Sequence, residues 1–260
     1  MAELKEDERD LKRVDIWNIK INLLGKDEII ETLNRWISKG EKGKYCTPVD
    51  ANTVMLAQND KNLRDAIFLS EITNVDSFLP AEFLKKAGYP INGRVATPDV
   101  MDAILSEANK NELRIFFLGA KDSTLEKLND VIRKRFPNVV IAGMRNGYFM
   151  ETENETIAKE ISETSPDIVF IGMPSPKKEN FVIACKKTIN AGVLYCVGGA
   201  FDALAGVLPR PPKWLQKGPI EGILRVIRNP WTYWRRALIC FKFISFARKW
   251  NTPTHPNSNN

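Results

Sequence analysis

Short apolar segments alternate with helix-like segments in the second half of the sequence, and the apolar segments run into glycines. Three of them are Arg114–Leu118, Asp167–Met173 and Gly192–Val197. Each is too short for a helix and is rich in β-branched or aromatic residues, as buried strands are. Because helix-like segments of about 10 to 15 residues separate them, the pattern predicts an α/β fold whose parallel sheet carries helices on both faces.

Glycines mark the ends of these predicted strands, at Gly119, Gly172 and the pair Gly198 and Gly199. In open parallel sheets, ligands bind at the edge formed by the carboxyl ends of the strands. We therefore expect a ligand site where the glycine turns meet.

One of these turns lies within the stretch 167–179, DIVFIGMPSPKKE. Ser175 is a good N-cap and Pro176 suits the first helical position, so a helix is predicted to begin there. Lys177 and Lys178 would add positive charge to the helix N-terminus, which favours a phosphate or diphosphate ligand. An ordinary strand, turn and helix with solvated lysines fits the same residues equally well.

Several motifs that mark known enzyme classes are absent from the sequence, which argues against those classes. No G-x-G-x-x-G follows a predicted strand and no G-x-x-x-x-G-K-[ST] occurs, which argues against a nicotinamide enzyme and a P-loop NTPase. The single histidine, His255, lies in the tail, which leaves no Ser–His–Asp triad or histidine metal site. An acid or base must then be Asp, Glu, Tyr, Lys or Cys. Because Asp-x-Asp is also missing, we expect no obligatory metal and no cofactor.

Composition divides the chain into four parts. Residues 1–13, MAELKEDERDLKR, are predicted to form a flexible charged arm, and no signal peptide is expected. Residues 14–207 form the predicted α/β domain, 208–250 a basic aromatic appendage, and 251–260 a disordered tail. The four scattered cysteines lack Cys-x-x-Cys spacing, which fits reduced thiols in a cytosolic protein.

The appendage at 208–250 differs in charge from the rest of the chain. It contains ten basic residues and one acid, a net charge of +9, whereas the whole chain carries +6. Four of the six tryptophans lie there, and two helices are predicted, broken at Asn229-Pro230. A basic helical segment with aromatic residues suits an anionic membrane surface. The alternatives are helices packed on the core with solvated cations, or nucleic acid, which the aliphatic and aromatic content disfavours.

Three positions outside the glycine turns are candidates for chemistry. Asp76 ends a strand-like segment and could serve as a general base, although the residues alone favour a turn aspartate bonded to its own backbone. Arg94 follows Gly93 in a loop and could bind an anion or lie on the surface. Phe201 follows Gly198 and Gly199, and its ring could stack on a base, unless this is only the start of a helix.

Several motifs occur together, in order, between Thr47 and Arg236. They are the Asp76 turn, Gly93-Arg94-Val95, FLGA at 117–120, Gly147-Tyr148-Phe149, GMPSPKKE at 172–179, VGGAFDALAG at 197–206, and the basic Trp-Arg-Arg end. In this the chain resembles the WecG/TagA/CpsF family of bacterial glycosyltransferases, glycosyltransferase family 26. The resemblance implies a Rossmann-like domain with a basic helical C-terminal appendage that docks on the membrane. It also implies inverting transfer of an N-acetylmannosamine-type or related hexose from a UDP-sugar to an undecaprenyl-diphosphate-linked saccharide, for cell-surface polysaccharide or teichoic acid.

The same resemblance assigns roles to individual residues. Asp76 matches the catalytic base. The implied substrate-binding residues are Thr47, Asn52, Arg94, Arg225 and Arg235, the last two gripping the diphosphate. The implied nucleotide-binding residues are Gly119, Gly172, Pro174, Ser175, Lys177, Lys178, Glu179, Gly198, Gly199, Phe201 and Asp202. The chain departs from the family pattern at Ser77, where the family has glycine, and at Lys178, where it has glutamine.

Three hypotheses for the function follow. The first is a UDP-sugar transferase that is cytoplasmic and peripheral on the inner face of the plasma membrane, with 208–250 on anionic lipid and no nucleic acid partner. The second is a peripheral membrane protein that binds a nucleotide or phosphate without catalysis. The third is a soluble nucleotide-dependent enzyme whose C-terminal helices form a homo-oligomer interface.

Overall fold

The computed structural model describes residues 11–207 and 230–250, and within the second range it describes the side chains of residues 234 and 238–250. Arg225 and the tail 251–260 lie outside the described residues. Arg235 is placed by its backbone alone.

The strands and helices alternate along the chain. The strands are β1 (Arg13–Ile16), β2 (Ile19–Asn22), β3 (Lys44–Val49), β4 (Ile72–Val75), β5 (Arg114–Gly119), β6 (Val140–Arg145), β7 (Ile168–Gly172) and β8 (Val193–Cys196). The helices are α1 (Lys26–Ser38), α2 (Ala51–Asn59), α3 (Lys61–Phe68), α4 (Phe78–Lys86), α5 (Thr97–Asn111), α6 (Asp122–Arg135), α7 (Asn154–Glu163), α8 (Lys177–Cys185), α9 (Ala200–Leu204) and α10 (Pro230–Trp250).

Six strands form one sheet in the order β4-β3-β8-β7-β5-β6, and every neighbouring pair in it is parallel. The predicted α/β class with a parallel sheet is confirmed. Because the strands are parallel, the turns that follow β3, β4, β5, β7 and β8 all lie at the same edge of the sheet.

Side chains alternate between the two faces of the sheet, and both faces are buried. Ile115, Phe117 and Phe170 pack with residues of α1, α5, α6 and α9. Phe116 and Val169, one position along, pack with residues of α7 and α8 on the opposite face. Strands covered on both faces must be apolar at successive positions, which explains the continuous apolar runs in the sequence.

The β1–β2 hairpin packs beside β4, the strand at one edge of the sheet. The buried Asn22 side chain donates to the Leu11 carbonyl at 2.7 Å and accepts from the Thr73 N–H at 2.7 Å. The hairpin thereby satisfies a backbone donor of an edge strand. Leu11 is buried and Arg13 begins β1, so the folded domain begins within the predicted arm 1–13.

Helix α10 packs against α2 and α4. Phe243 is fully buried, with its ring centroid 5.1 Å from that of Trp17 and 5.7 Å from that of Phe83. Ala247, one turn further along, is also fully buried. The end of the predicted appendage is therefore part of the core. Within the described residues, no helix is both long and apolar enough to cross a bilayer.

Replacing Asn22 with alanine should remove both of its buried hydrogen bonds and leave the Thr73 N–H without an acceptor. We expect Asn22→Ala to lower the free energy of unfolding by about 2–3 kcal/mol, because each buried group left unpaired costs about 1–3 kcal/mol. The measurement is urea unfolding. Asn111→Ala, which removes one exposed hydrogen bond to the Glu107 carbonyl, is the control and should change stability by about 0.5 kcal/mol or less. Equal midpoints for the two variants would contradict this role of Asn22.

Candidate active site

The carboxyl ends of β3 and β4 bring two aspartates side by side. The strands pair Val49 with Val75, so the residues that follow them, Asp50 and Asp76, are neighbours across the sheet. The Asp76 N–H donates to the Val49 carbonyl at 2.9 Å, which continues the ladder by one residue. The turn after β4 is therefore held in a fixed position.

Asp76 is partly buried, and its Oδ1 accepts a hydrogen bond from the Thr97 N–H at 2.6 Å. Burial raises the pKa of Asp76, and the negative charge of Asp50 raises it further. The Thr97 hydrogen bond and the positive charge of Arg94 act in the opposite direction, and the net pKa is above the ordinary value. A carboxylate with a raised pKa is a stronger base for a substrate hydroxyl.

The loop that carries Arg94 is hydrogen-bonded to β4. The Val95 N–H donates to the Val75 carbonyl at 2.7 Å, and the buried Asn74 amide donates to the Val95 carbonyl at 3.3 Å. The Tyr195 hydroxyl in turn donates to Asn74 Oδ1 at 2.9 Å. This network holds Arg94 at the wall of a cleft of about 1230 Å³, whose lining also includes Phe78, Ala96 and Pro98. The structure thus brings together the two predicted residues Asp76 and Arg94.

A buried polar cluster lies beside this pair, after β7. Lys178 is only 3% exposed and pairs with the fully buried Glu179. Glu179 Oε1 also accepts from the Ser175 hydroxyl at 2.9 Å and from the Thr47 hydroxyl at 3.2 Å. The alternative of a solvated lysine at position 178 is wrong. Four predicted binding residues, Thr47, Ser175, Lys178 and Glu179, are joined in this cluster.

The start of α8 differs from the prediction. The helix begins at Lys177 with Pro176 at the N-cap position, and Ser175, which precedes it across a cis peptide bond, makes no capping hydrogen bond. The Ser175 hydroxyl is used by Glu179 instead. The Lys177 ammonium donates to the carbonyls of Gly147 and Phe149, at 2.8 and 2.9 Å, and lies 4.2 Å from the centre of the Phe149 ring. Its observed role is to hold the loop after β6.

The predicted stacking of a base on Phe201 is wrong, because Phe201 is fully buried in the core. Its ring lies against Gly172, where a Cβ would come within 2.6 Å of it. Gly119 has φ +137°, and a Cβ there would lie 2.3 Å from the Gly172 carbonyl oxygen. Gly119 and Gly172 are thus required for close packing under the site.

Gly198 and Gly199 are different, because they line open space. A Cβ at Gly199 would meet no atom within 4 Å, and one at Gly198 would meet only the Met173 carbonyl oxygen, at 3.9 Å. Pro174 is exposed at the same edge. Asp202, in α9, accepts a hydrogen bond from the Thr124 hydroxyl at 3.0 Å. A ligand can approach the backbone at 198–199.

Sequence reasoning missed three residues of the site. Asp50 caps α2, and Thr53, whose N–H it accepts, lies with its hydroxyl 3.5 Å from that of Ser175. The spacing of Asp50 and Thr53 before an apolar run was the available signal. Tyr148 is 70% exposed and lines a second cavity of about 460 Å³, with Lys121, Asp122, Ser123 and Asn146. The predicted Asn52 lies in the first turn of α2 and makes no side-chain hydrogen bond to this cluster in the described part of the chain.

In the described ranges 11–207 and 230–250, no group of three His, Cys, Asp or Glu side chains could hold a metal ion. The expectation that no metal is required stays a prediction.

Comparison with known proteins gives a consistent result. A family model described as the glycosyl transferase WecG/TagA/CpsF family matches residues 14–255. A Bacillus subtilis (strain 168) protein named N-acetylglucosaminyldiphosphoundecaprenol N-acetyl-beta-D-mannosaminyltransferase is 29% identical over 201 residues, which cover 77% of each chain. Proteins of the same name from Bacillus spizizenii and Staphylococcus aureus (strain MW2) are 28% and 31% identical. The Bacillus spizizenii alignment covers 64% of this chain and 63% of the relative, and the Staphylococcus aureus alignment covers 56% of each.

The two kinds of glycine should respond differently to alanine. Gly172→Ala should lower the free energy of unfolding by about 1–3 kcal/mol, because the methyl group overlaps the buried Phe201 ring. Gly199→Ala should leave stability within about 0.5 kcal/mol, since its methyl group enters open space. The Gly199 variant should instead weaken UDP binding about tenfold, or about 1.4 kcal/mol. Calorimetry of unfolding and of UDP binding measures both effects, and unchanged UDP affinity in Gly199→Ala would remove this glycine from the binding surface.

Proposed function

The chain belongs to the WecG/TagA/CpsF family of glycosyltransferases, and we propose that it transfers an N-acetylmannosamine-type hexose from a UDP-sugar, with inversion, to an undecaprenyl-diphosphate-linked saccharide. The names of its relatives support this acceptor and sugar. The observation that carries the proposal is Asp76, a carboxylate with a raised pKa that is held beside Arg94 at the carboxyl edge of the sheet. The product would enter cell-surface polysaccharide or teichoic acid.

The proposed reaction is a single displacement. The hydroxyl oxygen of the acceptor forms a bond to the anomeric carbon of the donor, the bond from that carbon to the diphosphate oxygen breaks, and UDP leaves with the electron pair. The acceptor proton passes to the Asp76 carboxylate. Inversion follows because the attacking and leaving oxygens are on opposite sides of the anomeric carbon. Positive charge and N–H donors near the diphosphate lower the barrier by stabilising the departing anion.

The donor is assigned to the edge between Ser175 and Gly199. The open backbone at Gly198 and Gly199 admits a phosphate or ribose closely, and α8 begins after the neighbouring strand β7, at the same edge of the sheet. Tyr148 presents an exposed aromatic face at the neighbouring cavity, which suits a nucleotide base. The roles of Pro174 and Asp202 toward the nucleotide, and of Arg225 and Arg235 toward a diphosphate, remain predictions. No obligatory metal is part of this proposal.

The membrane surface is assigned to α10, together with the basic residues of 208–250. Trp234, Leu238 and Phe241 follow one another at helical spacing and are 47%, 49% and 70% exposed. They lie on the side of α10 opposite Phe243 and Ala247, which face the core. An exposed apolar stripe on a helix with flanking cations fits the interface of an anionic bilayer. The protein would then act on the inner face of the plasma membrane, where a lipid-linked acceptor meets a soluble UDP-sugar.

The enzyme hypothesis is favoured over a non-catalytic binder because the relatives are named as transferases. No observation on the described residues favours the third hypothesis, a soluble enzyme whose C-terminal helices form an oligomer interface.

Replacing Asp76 with asparagine should abolish transfer while preserving donor binding. We expect kcat to fall about 10²- to 10⁴-fold, because general base catalysis is lost. UDP affinity should stay within about threefold of wild type, since the base contacts the acceptor rather than the nucleotide. The assay measures sugar transfer from UDP-sugars to polyprenyl-diphosphate N-acetylglucosamine by mass spectrometry, in buffer containing EDTA.

Asp65→Asn, a change in an exposed ion pair on α3, is the matched control and should transfer at the wild-type rate. Loss of UDP binding in a folded Asp76→Asn variant would contradict the base assignment. Wild-type transfer that required added Mg²⁺ would contradict the metal-independent mechanism.

Charges placed on the exposed stripe of α10 should weaken membrane binding. We expect Leu238→Glu with Phe241→Glu to reduce binding to vesicles containing anionic phospholipid by about tenfold or more, because both side chains leave the interface and two negative charges are added. Vesicle sedimentation measures the fraction of protein bound to the vesicles. Phe68→Glu with Leu69→Glu, which makes the same change at exposed apolar residues around the end of α3, should bind as wild type. Equal loss in both double variants would show a general effect of charge instead.

A further inference from the structure

Asp50 is the nearest acidic neighbour of Asp76 in the strand register, and the proposed chemistry has not used it. Both residues directly follow paired strand ends, Val49 and Val75, at the carboxyl edge of the sheet. The Asp76 N–H is bonded to the Val49 carbonyl, so the backbone between the two carboxylates is fixed by a hydrogen bond. The distance between them therefore depends on the sheet rather than on a mobile loop.

The Asp50 side chain is also fixed in direction. Its Oδ1 accepts from the Thr53 N–H at 2.7 Å and from the Thr53 hydroxyl at 2.9 Å. These bonds make Asp50 the N-cap of α2. The structure thus holds one negative charge beside Asp76 in a single orientation.

The other groups that face Asp76 come from three elements. Arg94, in the loop before α5, contributes a positive charge, and the Thr97 N–H contributes a hydrogen bond. Tyr195 approaches from β8, but its hydroxyl is committed to Asn74. The negative charge of Asp50 opposes the effect that Arg94 and the Thr97 hydrogen bond have on the pKa of Asp76. Burial and Asp50 raise the pKa of Asp76, and the other two lower it.

We propose that Asp50 is a positioning residue that acts through Asp76: its fixed negative charge keeps Asp76 strong enough as a base to take the proton of the acceptor hydroxyl. The inference rests on the proposed function, because it assigns Asp50 to the same transfer step. Without the neighbouring charge, Arg94 and the Thr97 hydrogen bond would stabilise the Asp76 carboxylate and make it a poorer proton acceptor. Asp50 would thereby allow Arg94 to lie close to the reacting centre without weakening the base.

The test compares the pH dependence of kcat/KM for the wild-type chain and Asp50→Asn, with UDP-N-acetylmannosamine as donor and polyprenyl-diphosphate N-acetylglucosamine as acceptor. Asparagine caps a helix as well as aspartate does, so α2 should remain folded. Asp76 must be ionised to act, so activity rises with pH through its pKa. Removing the Asp50 charge lowers that pKa, and the acidic limb of the profile should move down by about one pH unit. The plateau rate should fall by about threefold, because the base is weaker.

Asp60→Asn is the matched control, because Asp60 caps α3 by the same kind of hydrogen bond, from Leu63 N–H at 3.0 Å, but does not adjoin Asp76. Its profile should coincide with that of the wild-type protein. An acidic limb that stays in place in Asp50→Asn, or that moves equally in Asp60→Asn, would overturn the proposal.

A second measurement does not depend on turnover. Carbon-13 NMR of the aspartate carboxyl groups, with the Asp76 signal assigned by its loss in Asp76→Asn, should show the Asp76 titration about one pH unit lower in Asp50→Asn. An unshifted titration contradicts the inference even when transfer is observed. Absence of transfer by the wild-type protein, with the shift present, would instead reject the proposed function and leave the coupling of the two carboxylates established.

Discussion

The arrangement of the site depends on a sheet that is buried on both faces. Since neither face of a strand meets solvent, side chains along β5, β7 and β8 are almost entirely apolar, and polar groups are confined to the residues that follow the strands. Thr47 and Asn74, polar side chains that lie within strands near the site, are fully buried and hydrogen-bonded. The same constraint that makes the core therefore concentrates charge at one edge, where Asp50, Asp76 and Lys178 lie.

Burial has different consequences for the two carboxylates Asp76 and Glu179. At Asp76 it leaves a carboxylate with one backbone donor, one cation and one neighbouring anion, and the result is a base with a raised pKa. At Glu179 it is compensated by Lys178 and by two hydroxyl donors, which makes a fixed support between β3 and α8. Two carboxylates at the same edge of one sheet thus take different roles because their immediate partners differ.

The sequence predicted most of the elements because they depend on local patterns. The short apolar runs before Gly119 and Gly172, which were predicted to be strands, are β5 and β7. Asp76 and Arg94 were singled out by their positions in the sequence and by the resemblance to a family, and the structure brings them together. Their roles in the reaction stay predictions. The burial of Phe201 and Lys178, and the use of Lys177 by the loop after β6, could not be predicted, because each is decided by residues far away in the chain. Asp50 was missed because its neighbour across the sheet is 26 positions away, and the register that joins them is a property of the pairing.

Helix α10 is anchored to the domain along one side and exposes apolar side chains along the other. A helix whose Phe243 is inserted between Trp17 and Phe83 cannot tilt or slide without opening the core. In the proposed orientation on a bilayer, the fold then sets a fixed distance between the reacting centre and the lipid surface. Such a protein would select among lipid-linked saccharides by how far the acceptor hydroxyl extends from the membrane, in addition to its chemical identity.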